Sequence, residues 1–329
     1  MGKSFKKSAL LFLVLWSAAG FADFDAKMAK AAALFKSSYK GEFVSAKYKV
    51  AYRVFFDSKK TRSIVIFPGF GEASQKYQEL AYDFYQRGYN VFILNHRGMG
   101  ESQRLVATNS QIIHIDDAKL YISDAVRFLE EVVAPKTGEN PVYLYGHSAG
   151  GLYGAQVMAR KPAFFQKAVL DAPMFEMNLK GYSRTAAWIV GQFHWSTSYA
   201  PGSKDYDPKV QFSDQTAMAS ENRWKYMNAT FQKDASLRVG GPSAGWVLAM
   251  MAVTSAAKIE ALARQIPTPT LVFRAGVDTY VMDAGQDVFV RNAADAQLRT
   301  FSKAWHEIHQ DVDSVRDEAL DAIFEFFED

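Results

Sequence analysis

The chain has 329 residues, 49% apolar, 14% aromatic and 22% charged, a make-up that buries a large core and excludes a disordered polypeptide. Lys and Arg number 38 against 35 Asp and Glu. Lys3, Lys6 and Lys7 account for that excess, so the rest is neutral and offers no basic footprint for nucleic acid. Cysteine is absent, which excludes disulfides, thiolate metal sites, a cysteine nucleophile and a lipoprotein anchor.

Residues 1–22 read MGKSFKKSALLFLVLWSAAGFA. A lysine-bearing start, an apolar run from Ala9 to Trp16 and small residues at Gly20 and Ala22 form the signal-peptide pattern, with cleavage expected after Ala22. The run is short for a bilayer span. The mature protein is therefore expected in the periplasm or outside the cell, with peripheral contact to membrane or lipid aggregates.

A helical lead covers Ala26 to Lys36. Phe43 to Phe56 alternates apolar and polar residues and predicts an antiparallel strand or hairpin. Short apolar runs then alternate with helical spacing. Strands are expected at Ser63–Phe67, Asn90–Leu94, Pro141–Tyr145 and Lys167–Leu170. Helices are expected at Gln75–Arg87, Asp116–Val133 and Gly151–Arg160. After Pro173 the rhythm breaks. It resumes with a strand at Thr268–Phe273, a helix near Asp283–Asn292, a strand at Gln297–Phe301 and a last helix at Asp311–Phe327. Strand–helix alternation of this kind predicts an α/β fold with a mostly parallel sheet covered by helices on both faces. The interruption holds Trp188, Phe193, Trp195, Tyr199, Trp224, Tyr226, Phe231 and Trp246, and reads as an inserted helical cap. The expected division is a leader at 1–22, a core at 23–173, a cap at 174–257 and the rest of the core at 258–329.

Gly146-His147-Ser148-Ala149-Gly150 follows a buried-type strand and precedes a helix, the context that G-x-S-x-G requires. Ser148 is the candidate nucleophile, and the N–H of Ala149 at the helix start is a candidate oxyanion donor. A second match, Gly241-Pro242-Ser243-Ala244-Gly245, follows no buried strand, and Pro242 restricts its turn. Ser243 is assigned to a cap loop.

A serine nucleophile needs a histidine base, and the histidine needs a carboxylate. Around this motif the chain order is Ser, acid, His. His194, His306 and His309 follow Ser148. His194 falls in the cap. His306 follows the last strand and a short loop and is the preferred base. His309 reads as part of the final helix. Asp278 in the loop after Thr268–Phe273 is the preferred acid, with Asp283, Asp287 and Asp171 as alternatives. Phe67-Pro68-Gly69-Phe70-Gly71-Glu72 offers the second oxyanion N–H at Phe70. No metal or cofactor motif appears: there is no H-E-x-x-H, and no G-x-G-x-x-G follows a strand.

Several segments together resemble the α/β-hydrolase superfamily, and within it the monoacylglycerol lipase and bacterial lysophospholipase branch. IFPGFGEAS is similar to the branch's oxyanion loop. LNHRGMGES is similar to its D-H-R-G-x-G-x-S segment, with Asn95 where aspartate is usual. LYGHSAGG is similar to its elbow, AWHEIHQD to its histidine loop, and RVGGPSAGW to a cap piece of bacterial lysophospholipases. The resemblance runs from about Glu42 to the end. It implies Ser148 as nucleophile, Asp278 as acid, His306 as base, and Phe70 and Ala149 as oxyanion amides. Arg97 and Gly98 would be structural. The implied activity is hydrolysis of lipid-like carboxylic esters without a cofactor. Arg184, Arg223 and Arg238 are candidates to meet a lysophospholipid phosphate. An exopeptidase or amidase of the same fold is the alternative, and a non-catalytic binding protein a further one.

Overall fold

The computed structural model describes residues 23–178, 196–213 and 216–329. The expected leader at 1–22 lies outside them, as do Arg184, Trp188, Phe193, His194 and Trp195 of the expected cap.

Eight strands form one sheet: β1 (Tyr39–Ser45), β2 (Tyr48–Phe55), β3 (Arg62–Phe67), β4 (Tyr89–Leu94), β5 (Val142–His147), β6 (Ala168–Asp171), β7 (Thr270–Ala275) and β8 (Ala296–Phe301). Their order across the sheet is β1-β2-β4-β3-β5-β6-β7-β8. The first three are antiparallel neighbours, and every pair from β4 onward is parallel. The alternation near Phe43 thus resolves as a β1–β2 hairpin. Ala46 and Lys47 both take positive φ at its tip (45° and 70°), the backbone that matches the twist of paired strands.

The central strands β3, β4 and β5 are mostly apolar and buried at nearly every position because both faces are covered. Ile64, Ile66, Val91, Ile93, Tyr143 and Tyr145 pack on one face. Val65, Phe67, Phe92, Leu94 and Leu144 pack on the other. The helix at 23–37, α1, places Phe35 on the first face beside α2 (Gln78–Gln86). The second face carries α3 (Lys119–Phe128), which runs on through a π-helical turn (Leu129–Val133) to Thr137, and α4 (Ala149–Arg160).

The predicted helix at Asp116–Val133 starts three residues late. The chain just ahead of it pairs with the expected cap: Ile113 N–H donates to the Gly241 carbonyl at 3.2 Å, and Ser243 N–H to the Ile113 carbonyl at 2.8 Å. The described part of the expected cap contains α5 (Glu221–Lys233) and α6 (Ala244–Met251). Its expected end at 257 falls inside α7 (Ala256–Ala263), which packs against α4 and α8 (Asp283–Asn292) in the core layer. The chain closes with α9 (Asp313–Glu328). Among the described residues no single helix is long and apolar enough to cross a membrane. The α6–α7 pair passes by composition but is bent by 57°, and Trp246, Met250, Ile259 and Ala263 are buried in the core.

β3 lies between β4 and β5, so the chain leaves its carboxyl end in one direction while β5 approaches from the other. Such a reversal opens a crevice at the carboxyl edge of the sheet. The loop after β3 carries Phe70, and the turn after β5 carries Ser148.

Candidate active site

Ser148 stands between β5 and α4 with φ 52° and ψ −118°. A non-glycine residue there is strained, and such strain gathers at functional sites. The turn is tight enough to forbid side chains around it. A Cβ on Gly150 would lie 2.0 Å from the Phe67 carbonyl oxygen, and one on Gly146 would lie 2.8 Å from that of Gly150. The glycines of the motif are therefore a packing requirement of strand, turn and helix.

The elbow brings Ser148 Oγ to 2.9 Å from His306 Nε2. His306 lies after β8, and its Nδ1 is 2.7 Å from Asp278 Oδ2. The other oxygen of Asp278 accepts from the N–H groups of Tyr280 (2.7 Å) and Val281 (3.1 Å). A carboxylate held on both oxygens has one orientation to offer the imidazole. The three side chains come from loops after β5, β7 and β8, and those of His306 and Asp278 are 6% and 3% exposed. Ser148, His306 and Phe70 border one cavity of about 350 Å³. Met174, Met177, Trp246, Val247 and Val281 line its apolar side. Ala149 is the first residue of α4, next to Ser148.

The alternatives take other places. Asp283 opens α8, and Asp287 on that helix pairs with Arg274. Asp171 is fully buried at the end of β6 and faces His309 Nδ1 at 3.1 Å. His309 is not in the final helix: it occupies a short turn (Ile308–Gln310) before α9, where its carbonyl accepts from Arg316 Nε at 3.0 Å. Of the cap arginines, Arg223 and Arg238 are described, and neither borders the cavity. Arg223 is buried against Glu79 at 2.8 and 2.9 Å and against Asp313. Arg238 donates to the carbonyls of Phe231 and Gln232.

Among the described residues the cation beside the cavity is Lys76, which sequence reasoning missed together with its partners Glu72, His147 and Glu307. Lys76 Nζ is 2.6 Å from both Glu72 Oε1 and Glu307 Oε1. Glu72 Oε2 accepts from Gly69 N–H at 2.6 Å and from the Tyr77 hydroxyl, and lies 3.2 Å from His147 Nδ1. His147 Nε2 is 3.3 Å from the His306 carbonyl. This cluster ties the loop after β3 to the loop that carries His306. Burial raises the proton affinity of the Glu72 carboxyl, but Lys76 and His147 override it and hold that group well below the usual carboxylate range. Burial would likewise strip the proton from His147. The Glu72 carboxylate outweighs it, with help from Asp171 and Glu307, and pushes His147 up to about 9. Both its ring nitrogens then donate, as the two acceptors require. Glu72, His147 and His309 also lie within metal-ligating distance of one another. The Lys76 ammonium on Glu72 disfavours a dication there.

His147 makes stability pH-dependent with a definite sign. Its folded value lies above the ordinary 6.5, so its contribution is complete below that value. The contribution falls as pH rises toward about 9 and is then lost. Urea titrations from pH 6 to 10 should show a decline on the order of 3 kcal/mol in that window. His147→Gln should show little of it; an equal decline in that variant would remove His147 as its source.

The family described as serine aminopeptidase, S33 matches residues 58–313. The chain belongs to this family. Lysophospholipase L2 of Escherichia coli (strain K12) is 30% identical over 277 residues, covering 81% of this chain and 80% of that protein. Probable lysophospholipase L2 of Haemophilus influenzae is 27% identical over 302 residues, covering 89% and 93%. Monoacylglycerol lipase of Mycolicibacterium smegmatis is 24% identical, covering 79% and 86%. Among solved structures, a soluble variant of the Saccharomyces cerevisiae monoglyceride lipase in complex with a substrate analog superposes with a TM-score of 0.68 at 17% identity, covering 88% and 96%. This S33-family chain has the α/β-hydrolase fold and is a carboxylic ester hydrolase of the branch that holds the lysophospholipases and monoacylglycerol lipases.

Proposed function

We propose that the chain hydrolyses carboxylic esters of single-acyl lipids through a Ser148–His306–Asp278 triad. The observation that carries this reading is the unbroken hydrogen-bonded line from Ser148 Oγ to Asp278 Oδ2 at the edge of a largely apolar cavity. The Ser148 oxygen attacks the ester carbonyl while His306 Nε2 takes its proton. The N–H groups of Ala149 and Phe70 receive the developing oxyanion. Collapse expels the alcohol, which takes the proton from His306. Water, deprotonated by the same nitrogen, then frees the fatty acid and regenerates Ser148. Asp278 fixes the imidazole tautomer and stabilises the imidazolium.

The apolar side formed by Trp246, Val247 and the two methionines suits an acyl chain. The polar end at Glu72, Lys76 and Glu307 suits the leaving alcohol. The lysophospholipase and monoacylglycerol lipase relatives support the same substrate class. An aminopeptidase would need a carboxylate for the substrate amine; Glu72 is engaged on both oxygens, and Glu307 has one oxygen on Lys76.

Monoacylglycerols, lysophospholipids and aminoacyl arylamides, compared on one enzyme preparation, decide the matter. Hydrolysis of the acyl esters should exceed that of the arylamides by at least about 100-fold in kcat/KM, with a fluorophosphonate label recovered on Ser148. Preference for the arylamides, or an unlabelled Ser148, would refute the reading. We further propose export with removal of residues 1–22, supported by the charged start and apolar run; a mature mass that retains Met1 would oppose it.

A further inference from the structure

The second G-x-S-x-G segment has a Ser–His–Asp line of its own. Ser243 Oγ lies 2.8 Å from His114 Nδ1, and His114 Nε2 lies 2.9 Å from Asp116 Oδ1. The residue types repeat those at Ser148, but the geometry does not. Ser243 has φ −73°, in unstrained extended backbone. It is 0% exposed and does not border the cavity. The imidazole is also reversed, with Nδ1 toward the serine and Nε2 toward the carboxylate. Ser243 Oγ accepts from the Trp246 N–H at 3.0 Å as the N-cap of α6. The Asp116 carboxylate can only accept, so Nε2–H of the neutral ring donates to it and leaves Nδ1 to accept the Ser243 hydroxyl proton.

Around this line the start of α6 is held twice, by the bonds to Ile113 from the core and by its own neighbouring segment: Ala244 N–H donates to the Ser198 carbonyl at 3.0 Å and Gly245 N–H to that of Ser196 at 2.8 Å. A Cβ on Gly245 would lie 2.8 Å from His114 Cε1, so the second motif owes a glycine to the close approach of His114. One turn along, the Trp246 ring packs on Phe70 with centroids 4.3 Å apart. Trp246 and Val247 form part of the apolar side of the cavity.

We propose that Asp116, His114 and Ser243 form a non-catalytic clasp that sets the wall of the acyl cavity: it holds the first turn of α6, and with it Trp246, against Phe70. Ser243 and His114 are positioning residues for acyl-chain selectivity. The clasp rests on the acyl-ester reading above. It predicts that an acyl chain long enough to reach Trp246 senses the clasp, while a short one does so much less.

The experiment measures kcat and KM for butanoyl and dodecanoyl esters of one alcohol, on the full chain and on Ser243→Ala, His114→Ala and His114→Asn. Both alanine variants should lower the long-to-short ratio of kcat/KM by about tenfold, mostly through KM. His114→Asn, which keeps a hydrogen-bonding atom where Nδ1 stood, should retain the wild-type ratio. Peptide mapping after fluorophosphonate treatment should find Ser148 labelled and Ser243 bare. If Ser243→Ala does not fold, His114→Ala carries the measurement, since its side chain sits at the border of an open pocket. A label on Ser243, or a ratio that His114→Ala leaves unmoved in an active enzyme, overturns the clasp. A wild-type protein that cleaves neither ester sinks the acyl-ester reading and the clasp together.

Discussion

Ser148→Gly should abolish ester hydrolysis and raise stability in the same molecule. Loss of the nucleophile lowers kcat by about 10⁴-fold or more, because the remaining oxyanion donors and binding contacts supply only a residual rate. The stability gain comes from the elbow. Ser148 holds φ 52° and ψ −118°, a conformation that costs a residue with a Cβ on the order of 1–3 kcal/mol and costs glycine little. Part of that relief is offset by the larger freedom of glycine in the unfolded chain, about 0.4–1 kcal/mol. A net gain of about 1 kcal/mol is expected as a higher urea midpoint at unchanged slope. Ser148→Ala is the control: it removes the oxygen but keeps the Cβ, so it should be equally inactive without the gain. Equal midpoints for the two variants would mean that the turn stores no strain. Retained activity in either would remove Ser148 from the chemistry.

Asp124→Ala should cost about 3–5 kcal/mol of stability, the penalty of leaving a buried charge without its partner. Arg97 and Asp124 are each 1% exposed. Two parallel bonds of 2.5 Å join the guanidinium to the carboxylate, and Ser45 Oγ accepts from the same guanidinium at 3.2 Å. The pair fastens the loop after β4 to α3. Replacing both partners with apolar residues of similar volume should be far milder than replacing one, since the desolvation of two charges disappears with their attraction. Chemical denaturation of the single and double variants measures this. A loss below about 1 kcal/mol for Asp124→Ala would show that the guanidinium recovers its solvation on its own.

These expectations differ in how far the sequence alone reaches them. The elbow was legible because its chemistry is local: a strand, a turn that excludes Cβ atoms and a helix follow one another within about a dozen residues. His306 and Asp278 were legible from chain order and position after strands, and the folded chain does bring both to Ser148. The buried cluster of Glu72, Lys76, His147 and Glu307 was not. Glu72 and Lys76 form an ordinary i,i+4 pair in the sequence. Only folding carries Glu307, 231 positions after Lys76, to the same ammonium. Arg223 misleads for the same reason: an arginine that neutralises a buried carboxylate, here Glu79, cannot be told in sequence from one that waits for a phosphate.

The two G-x-S-x-G segments mark the boundary most plainly. Hydrophobic runs and glycine spacing are properties of neighbouring residues, so the sequence by itself determined a parallel sheet, the elbow after its fifth strand and the serine placed there. Which imidazole faces which serine, and through which nitrogen, depends on residues more than 100 positions apart. Only packing brings such groups within hydrogen-bond range. The tertiary structure alone therefore decided that His306 reaches Ser148 beside an open cavity, while His114 reaches a Ser243 buried at the start of α6.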